Sequence, residues 1–175
     1  MKINPQKCSC LVVDPSREKK FSQVKFKIND IEIPIVKKCK LLGTQITNNV
    51  KWEENVNYTV KKANSKMFIL RRLKLFKLSE TQLINVYKSY IRSLLEYSSV
   101  VWGKSLTVKQ NSLLTSIEKR SISIITGKYI SRKNYTKTCK KLNLETLVDH
   151  RDKLLNTFGK KLSLSERFTS WLKLT

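Results

Sequence analysis

The chain has 175 residues, and its 36 lysines and arginines stand against 13 aspartates and glutamates, a net charge of +23. That length buries one core, or one core with a small appendage. The charge repels the chain from itself and points to a polyanion, with nucleic acid the default because each Lys or Arg laid on a phosphate releases condensed counterions. An anionic membrane surface is the rival, but no apolar run reaches the length of a membrane span. The amino terminus MKINPQKC also lacks the apolar core of a signal peptide. A soluble protein of the reducing cell interior is expected, with nucleus and cytoplasm left open. Four scattered cysteines make no disulfide scaffold, and Cys8 and Cys10 lack a second pair at zinc-ligand spacing. The single histidine, His150, falls in a helical pattern and reads as a surface residue.

From Cys8 to about Thr47 the pattern is extended. Cys8 to Val13 is a short apolar run closed by Asp14. Val24, Phe26 and Ile28 alternate with polar residues, Asn29-Asp30 signals a turn, and Ile31, Ile33 and Ile35 alternate again. Pro34 cannot donate to a ladder and places its strand at an edge. Lys40 to Ile46 reads as one more strand, with Gly43 allowing another backbone to approach.

From Glu53 the period is helical. Val56, Val60, Ala63, Met67 and Leu70 form one stripe. Ser79-Glu80-Thr81-Gln82 is a capping box opening a helix with Leu83, Tyr87, Tyr90, Leu94, Tyr97 and Val101 on one face, widened by Ile84, Ile91 and Leu95. Thr107-Val108-Lys109-Gln110 is a second box, before Leu114, Ile117, Ser121 and Ile124, and Gly127 stands where a left-handed cap stops that helix. After the connector SRKNYTKTCKK, a last helix carries Leu147, Arg151, Leu154, Phe158 and Leu162, with Asp149 and Lys153 spaced to pair. The predicted class is α+β: a small antiparallel sheet followed by a bundle of about four helices.

The densest basic stretch is Lys61 to Lys77. Lys61 and Arg72 project opposite the apolar stripe, with Lys62 and Lys66 on one flank and Arg71 on the other. No acid stands between Glu54 and Glu80 to pair with them. A solvated helix face normally mixes signs, so these residues are candidates for phosphate contact. Lys19, Lys20, Lys25, Lys27, Lys37, Lys38 and Lys40 charge the sheet, and Lys128, Arg132, Lys133, Lys137, Lys140 and Lys141 form a third cluster. Three positive regions suit a surface that follows a duplex without reading its bases. Of the aromatics in or beside apolar stripes (Trp52, Phe68, Tyr87, Tyr90 and Trp102), most are expected to be core anchors. A two-metal phosphoryl-transfer site needs converging carboxylates, and the only aspartates are Asp14, Asp30, Asp149 and Asp152. No Gly-rich phosphate loop is present either, so a binding module without a catalytic centre is expected.

The runs KCKLLGTQITNNVKW, KKANSKMFILRRLK, SYIRSLLEYSSVVWGKSL and SIEKRSISIITG together resemble the late palm and thumb of reverse transcriptases of non-LTR retrotransposons of the jockey type. The resemblance runs from about Asn4 to Lys161. MKINPQKC looks like the segment just after that family's Y-x-D-D turn, and TLVDHRDKLL and the ERF run at Arg167 look like the segment after the thumb. It implies that 1–50 is the end of the palm, 51–128 a thumb-like bundle, and 129–175 a basic connector with a post-thumb helix. It implies that the backbone at Leu42, Gly43 and Thr44 lies against a primer strand. Lys61, Lys62, Lys66, Arg71, Arg72, Lys128, Arg132 and Lys133 then serve the phosphates of an RNA or DNA primer–template duplex. The missing partners are the upstream palm and fingers with the catalytic aspartate pair, and Mg2+ belongs to that complete polymerase, with no cofactor expected here. Met1 reads as a start codon met partway through an older frame. Two departures, Glu118 where relatives carry Gln and Asn55 where they carry His, fit a drifting copy. The alternatives are a free-standing basic nucleic-acid-binding protein, ribosomal or chromatin-like, and a membrane-surface protein.

Overall fold

Two antiparallel hairpins precede the helices, so the α+β class holds. The computed structural model describes residues 3–13 and 25–169. The expectations at Met1, Asp14, Lys19, Lys20 and Val24 lie outside the described residues. The chain divides into two compact units, Met1–Tyr58 and Thr59–Thr175.

In the first unit, β1 (Phe26–Ile28) pairs with β2 (Ile31–Ile33), Phe26 opposite Ile33 and Ile28 opposite Ile31. The expected Asn29-Asp30 turn closes the pair, with φ of 48° and 61°. Both residues tolerate the left-handed region that a two-residue hairpin loop needs. β3 (Lys38–Leu41) and β4 (Thr44–Thr47) form a second hairpin, Leu41 opposite Thr44. The single strand expected from Lys40 to Ile46 is therefore two. Leu42 and Gly43 are its turn, at φ 45° and 87°, so Gly43 serves chain reversal and not a neighbour's approach. The hairpins are separate two-stranded sheets. Beyond β2 the chain pairs with the Cys8–Val13 run: Cys10 N–H donates to the Pro34 carbonyl at 2.9 Å and Val36 N–H to the Cys10 carbonyl at 2.8 Å. The bonds fall on either side of Ile35, where Pro34 need offer no N–H.

α1 (Glu53–Leu75) opens with Glu53 and Glu54 and closes with Arg72 and Lys74, the charge order its dipole favours. Its opening belongs to the first unit, where Asn55 is buried and its side-chain oxygen accepts the Gln45 N–H at 3.1 Å. That bond fixes the second hairpin on the helix, with Trp52 and Val56 buried beside it. The Asn55 departure is thus a structural contact.

In the second unit α1 buries Ala63, Met67 and Leu70. α2 (Glu80–Val86) begins at the expected capping box, then the chain widens into a π-helical stretch, Tyr87–Arg92, before α3 (Ser93–Glu96). Leu83, Tyr87, Ile91 and Leu95, each four apart, are fully buried. A regular helix would turn the later members of such a series off the face. The wider π turn holds them on it. Past Tyr87 the core therefore follows Ile91 and Leu95, expected only to widen the face, while Tyr90, Tyr97 and Val101 are exposed and Leu94 is half-buried. Ser98, at φ 53°, breaks the helix before α4 (Ser99–Trp102). α5 (Val108–Thr126) starts at its capping box and stops at Gly127, whose φ of 69° suits a residue without Cβ. α6 (Tyr135–Lys141), α7 (Leu147–Ser163) and α8 (Glu166–Thr169) complete the described chain. Lys153 pairs with Glu145 at 2.9 Å, not with Asp149, which instead accepts from the Thr146 hydroxyl at 2.6 Å where that residue caps α7. Trp52, Tyr87 and Trp102 are core anchors as expected, but Phe68 and Tyr90 are 61% and 52% exposed.

Candidate nucleic-acid interface

The sheet's positive charge is partly spent within its own unit. Lys25 pairs with Glu32 at 3.3 Å and Lys38 with Glu54 at 3.2 Å, and Lys40 donates to the Tyr58 hydroxyl at 3.0 Å. Leu42, at the turn tip, is 84% exposed, whereas the Thr44 side chain is buried. Of the three residues expected on a primer strand, Leu42 and Gly43 stand at the surface and Thr44 faces inward.

Lys61, Lys62, Lys66, Arg71 and Arg72 are all exposed on α1, but they do not form one surface. The Arg72 guanidinium lies 5.8 Å from the Phe68 ring and 5.9 Å from the Phe76 ring. Arg71 points to another side, into a groove of about 420 Å3 shared with Lys119, Arg120 and Tyr129. An adjoining groove of about 620 Å3 runs on to Arg132. Ser116 and Lys119 line both. Two predicted residues from distant parts of the sequence, Arg71 and Arg132, thus line adjoining grooves along α5, while Lys128 and Lys133 are exposed next to Tyr129 and Arg132 in the chain. No carboxylate lines either groove. Among the described residues Arg71, Lys119, Arg120 and Arg132 form no ion pair, and Arg120 is steadied by donating to Asn64 Oδ1 at 3.0 Å. Unneutralised guanidinium groups on a concave surface are the physical requirement for phosphate contact.

Lys119, Arg120 and Tyr129 were missed in the sequence. The signal was there: Ser116, Lys119, Arg120 and Ser123 follow the i, i+3, i+4, i+7 spacing of one helix side. A small polar and basic side on a helix otherwise rich in isoleucine is legible as a second face.

Beneath this surface lies a buried charge cluster. Glu118, fully buried, accepts from the Tyr87 hydroxyl at 2.9 Å, from the Tyr135 hydroxyl, and from the Leu147 N–H at 2.9 Å. Arg92 pairs with Glu96 at 3.0 Å and donates to the Glu145 and Thr146 carbonyls at 2.9 and 3.3 Å. Glu96 also meets His150 Nδ1 at 2.8 Å, so that histidine is half-buried and partnered, not simply on the surface. Burial, and then the Glu118 charge, push both tyrosine hydroxyls up and the Cys139 thiol to about 12. Burial is the largest single influence on Arg92 and lowers it, but Glu96, Tyr87 and Glu118 together outweigh burial and hold it raised. A cleft of about 660 Å3 beside the cluster is lined by both signs, Lys88 and Lys140 against Glu145 and Asp149. It has no net preference for an anion. The Arg92 and Glu96 of the I-R-x-x-L-E-Y run and the Glu118 departure therefore build the core of the second unit, tying the π-helical stretch to the start of α7.

For metal chemistry the aspartates among the described residues do not converge. Asp30 is in a hairpin turn, Asp149 accepts from the capping Thr146 in the first turn of α7, and Asp152 pairs with Lys104 at 2.9 Å. Among the described residues no group of three His, Cys, Asp or Glu could hold a metal ion, and no helix is long and apolar enough to cross a membrane. No family model, curated protein or solved structure matches the chain.

Proposed function

We propose that this protein binds nucleic acid through backbone phosphates, along the grooves beside α5. The observation that carries the reading is the gathering of Arg71, Lys119, Arg120 and Arg132 on one acid-free side of the second unit. Each phosphate contact makes log K fall with log salt at a slope of about 0.9. Four cations therefore give a slope of roughly 3 or more. Fluorescence anisotropy of a labelled oligonucleotide across a salt series tests this directly. Binding that is absent at low salt, or indifferent to salt, overturns it.

Our reading of its descent is the late palm and thumb of a non-LTR retrotransposon reverse transcriptase, holding a primer–template duplex without extending it. What supports this is the run of motif matches from Lys38 to Gly127, together with apolar side chains exposed on the hairpins. Ile31, Ile35 and Leu41 stand in water, and a palm would cover such positions. The sequence contains no paired aspartates at a Y-x-D-D turn. Metal-dependent nucleotide incorporation by the purified chain would contradict the claim that it grips without catalysing. The genomic DNA upstream of Met1 tests the ancestry itself: a frame leading back into a Y-x-D-D turn supports it, and an unrelated leader leaves a free-standing binding protein.

A further inference from the structure

The groove between Arg71 and Tyr129 contains something phosphate binding alone does not need. Tyr129 is 90% exposed, yet its backbone is held from both sides. Gly127 stops α5, the Lys128 N–H donates to Thr126 Oγ1 at 3.3 Å, and the Ile130 N–H donates to Ser123 Oγ at 3.2 Å. Ile130 is buried, so the following residue anchors the loop and fixes where the ring is presented. The exposed Tyr129 ring shares its groove with Arg71, Lys119 and Arg120, of which Lys119 also stands over the Tyr135 ring at 5.1 Å. Arg71, Lys119 and Arg120 place positive charge around the same groove, and its volume of about 420 Å3 admits a nucleobase with its sugar.

Resting on the phosphate-binding reading, we infer that this groove takes an unpaired nucleotide, stacking its base on Tyr129 while Arg71 and Arg120 hold the flanking phosphates. A duplex keeps its base faces stacked on one another and offers none along its length. A single strand offers one at every nucleotide. The occupant is therefore unpaired RNA or DNA, whose shared chemistry is a free π-face between two phosphates. In a protein that also holds a duplex, this groove would receive the unpaired stretch beside it.

The experiment uses the full chain and anisotropy titrations with three probes of equal charge. They are an oligothymidylate of about 12 nucleotides, within the span one such surface covers, the same strand with abasic sites, and a blunt hairpin. An oligouridylate arm separates RNA from DNA. Wild type is expected to bind the base-bearing strand at least about fivefold more tightly than the abasic strand, the lower end of what one stacked base contributes. Tyr129→Ala should erase the difference and Tyr129→Phe keep it. The ring is outside the core, so both variants fold. Equal affinity of wild type for base-bearing and abasic strands, or a difference that survives Tyr129→Ala, overturns the inference. If Arg71→Ala then still weakens every probe alike, phosphate binding stands and only the stacking fails. If no probe binds, both readings fall together.

Discussion

Glu118 shows how much one buried carboxylate organises. It joins Tyr87, Tyr135 and the Leu147 backbone, with the Arg92 guanidinium 3.9 Å away. Replacing it with alanine strands two hydroxyls, one N–H and part of an arginine's charge in the core. Glu118→Ala is expected to cost about 3–5 kcal/mol, the range for breaking a buried pair, read as a lowered urea midpoint. A change under about 0.5 kcal/mol, typical of surface sites, would show that the cluster does not hold the fold. The cluster also predicts a pH signature. Burial and Glu118 raise the Tyr87 hydroxyl well above its ordinary 10.0, so the folded state retains a proton that the unfolded chain releases. The advantage of Tyr87 over phenylalanine is complete below the unfolded value and shrinks as pH rises through and beyond it. Lysines discharge in the same range, so the readout is the gap in urea midpoint between wild type and Tyr87→Phe. That gap should narrow above about pH 10, and a constant gap would contradict the coupling.

The elements were legible where a residue type carries a local instruction. Both capping boxes, the Asn29-Asp30 turn and the Gly127 stop could be read because Ser, Thr, Gln, Asn, Asp and Gly each satisfy a specific backbone group or dihedral. The second hairpin was not legible, because Leu42 in the left-handed region is no turn signal and Gly43 alone admits several uses. The π-helical stretch was hidden for a different reason. No residue marks it, and the apolar positions from Leu83 to Val101 fit a regular helix just as well. Ile91→Ala should destabilise by about 2–5 kcal/mol, as for a buried aliphatic residue. Its neighbour Tyr90→Ala should stay within about 0.5 kcal/mol, as for a surface position. The reverse order in thermal or urea unfolding would restore the regular helix. The basic site was half legible. Arg71 stood out as charge without nearby acid and Arg132 as part of a basic cluster, but only the fold brings them to the same side of α5.

At the scale of the whole molecule, +23 of net charge is not evenly useful. On the hairpins lysines meet Glu32, Glu54 and Tyr58, and in the second unit Arg92 and Arg151 are buried. The exposed Ile31, Ile35 and Leu41 add a separate expectation, self-association that deepens with salt as charge repulsion is screened. Sedimentation velocity at rising salt reads it, and a monomer throughout would argue against a covering palm. The central claim is that the α5 grooves carry the phosphate contacts. Its most direct test is the salt dependence of oligonucleotide binding by wild type and by Arg71→Ala/Arg132→Ala. Removing two phosphate contacts should lower the slope of log K against log salt by about 1.4 on a single strand and about 1.8 on a duplex while leaving thermal unfolding unchanged. An unchanged slope would place the nucleic acid elsewhere on the molecule.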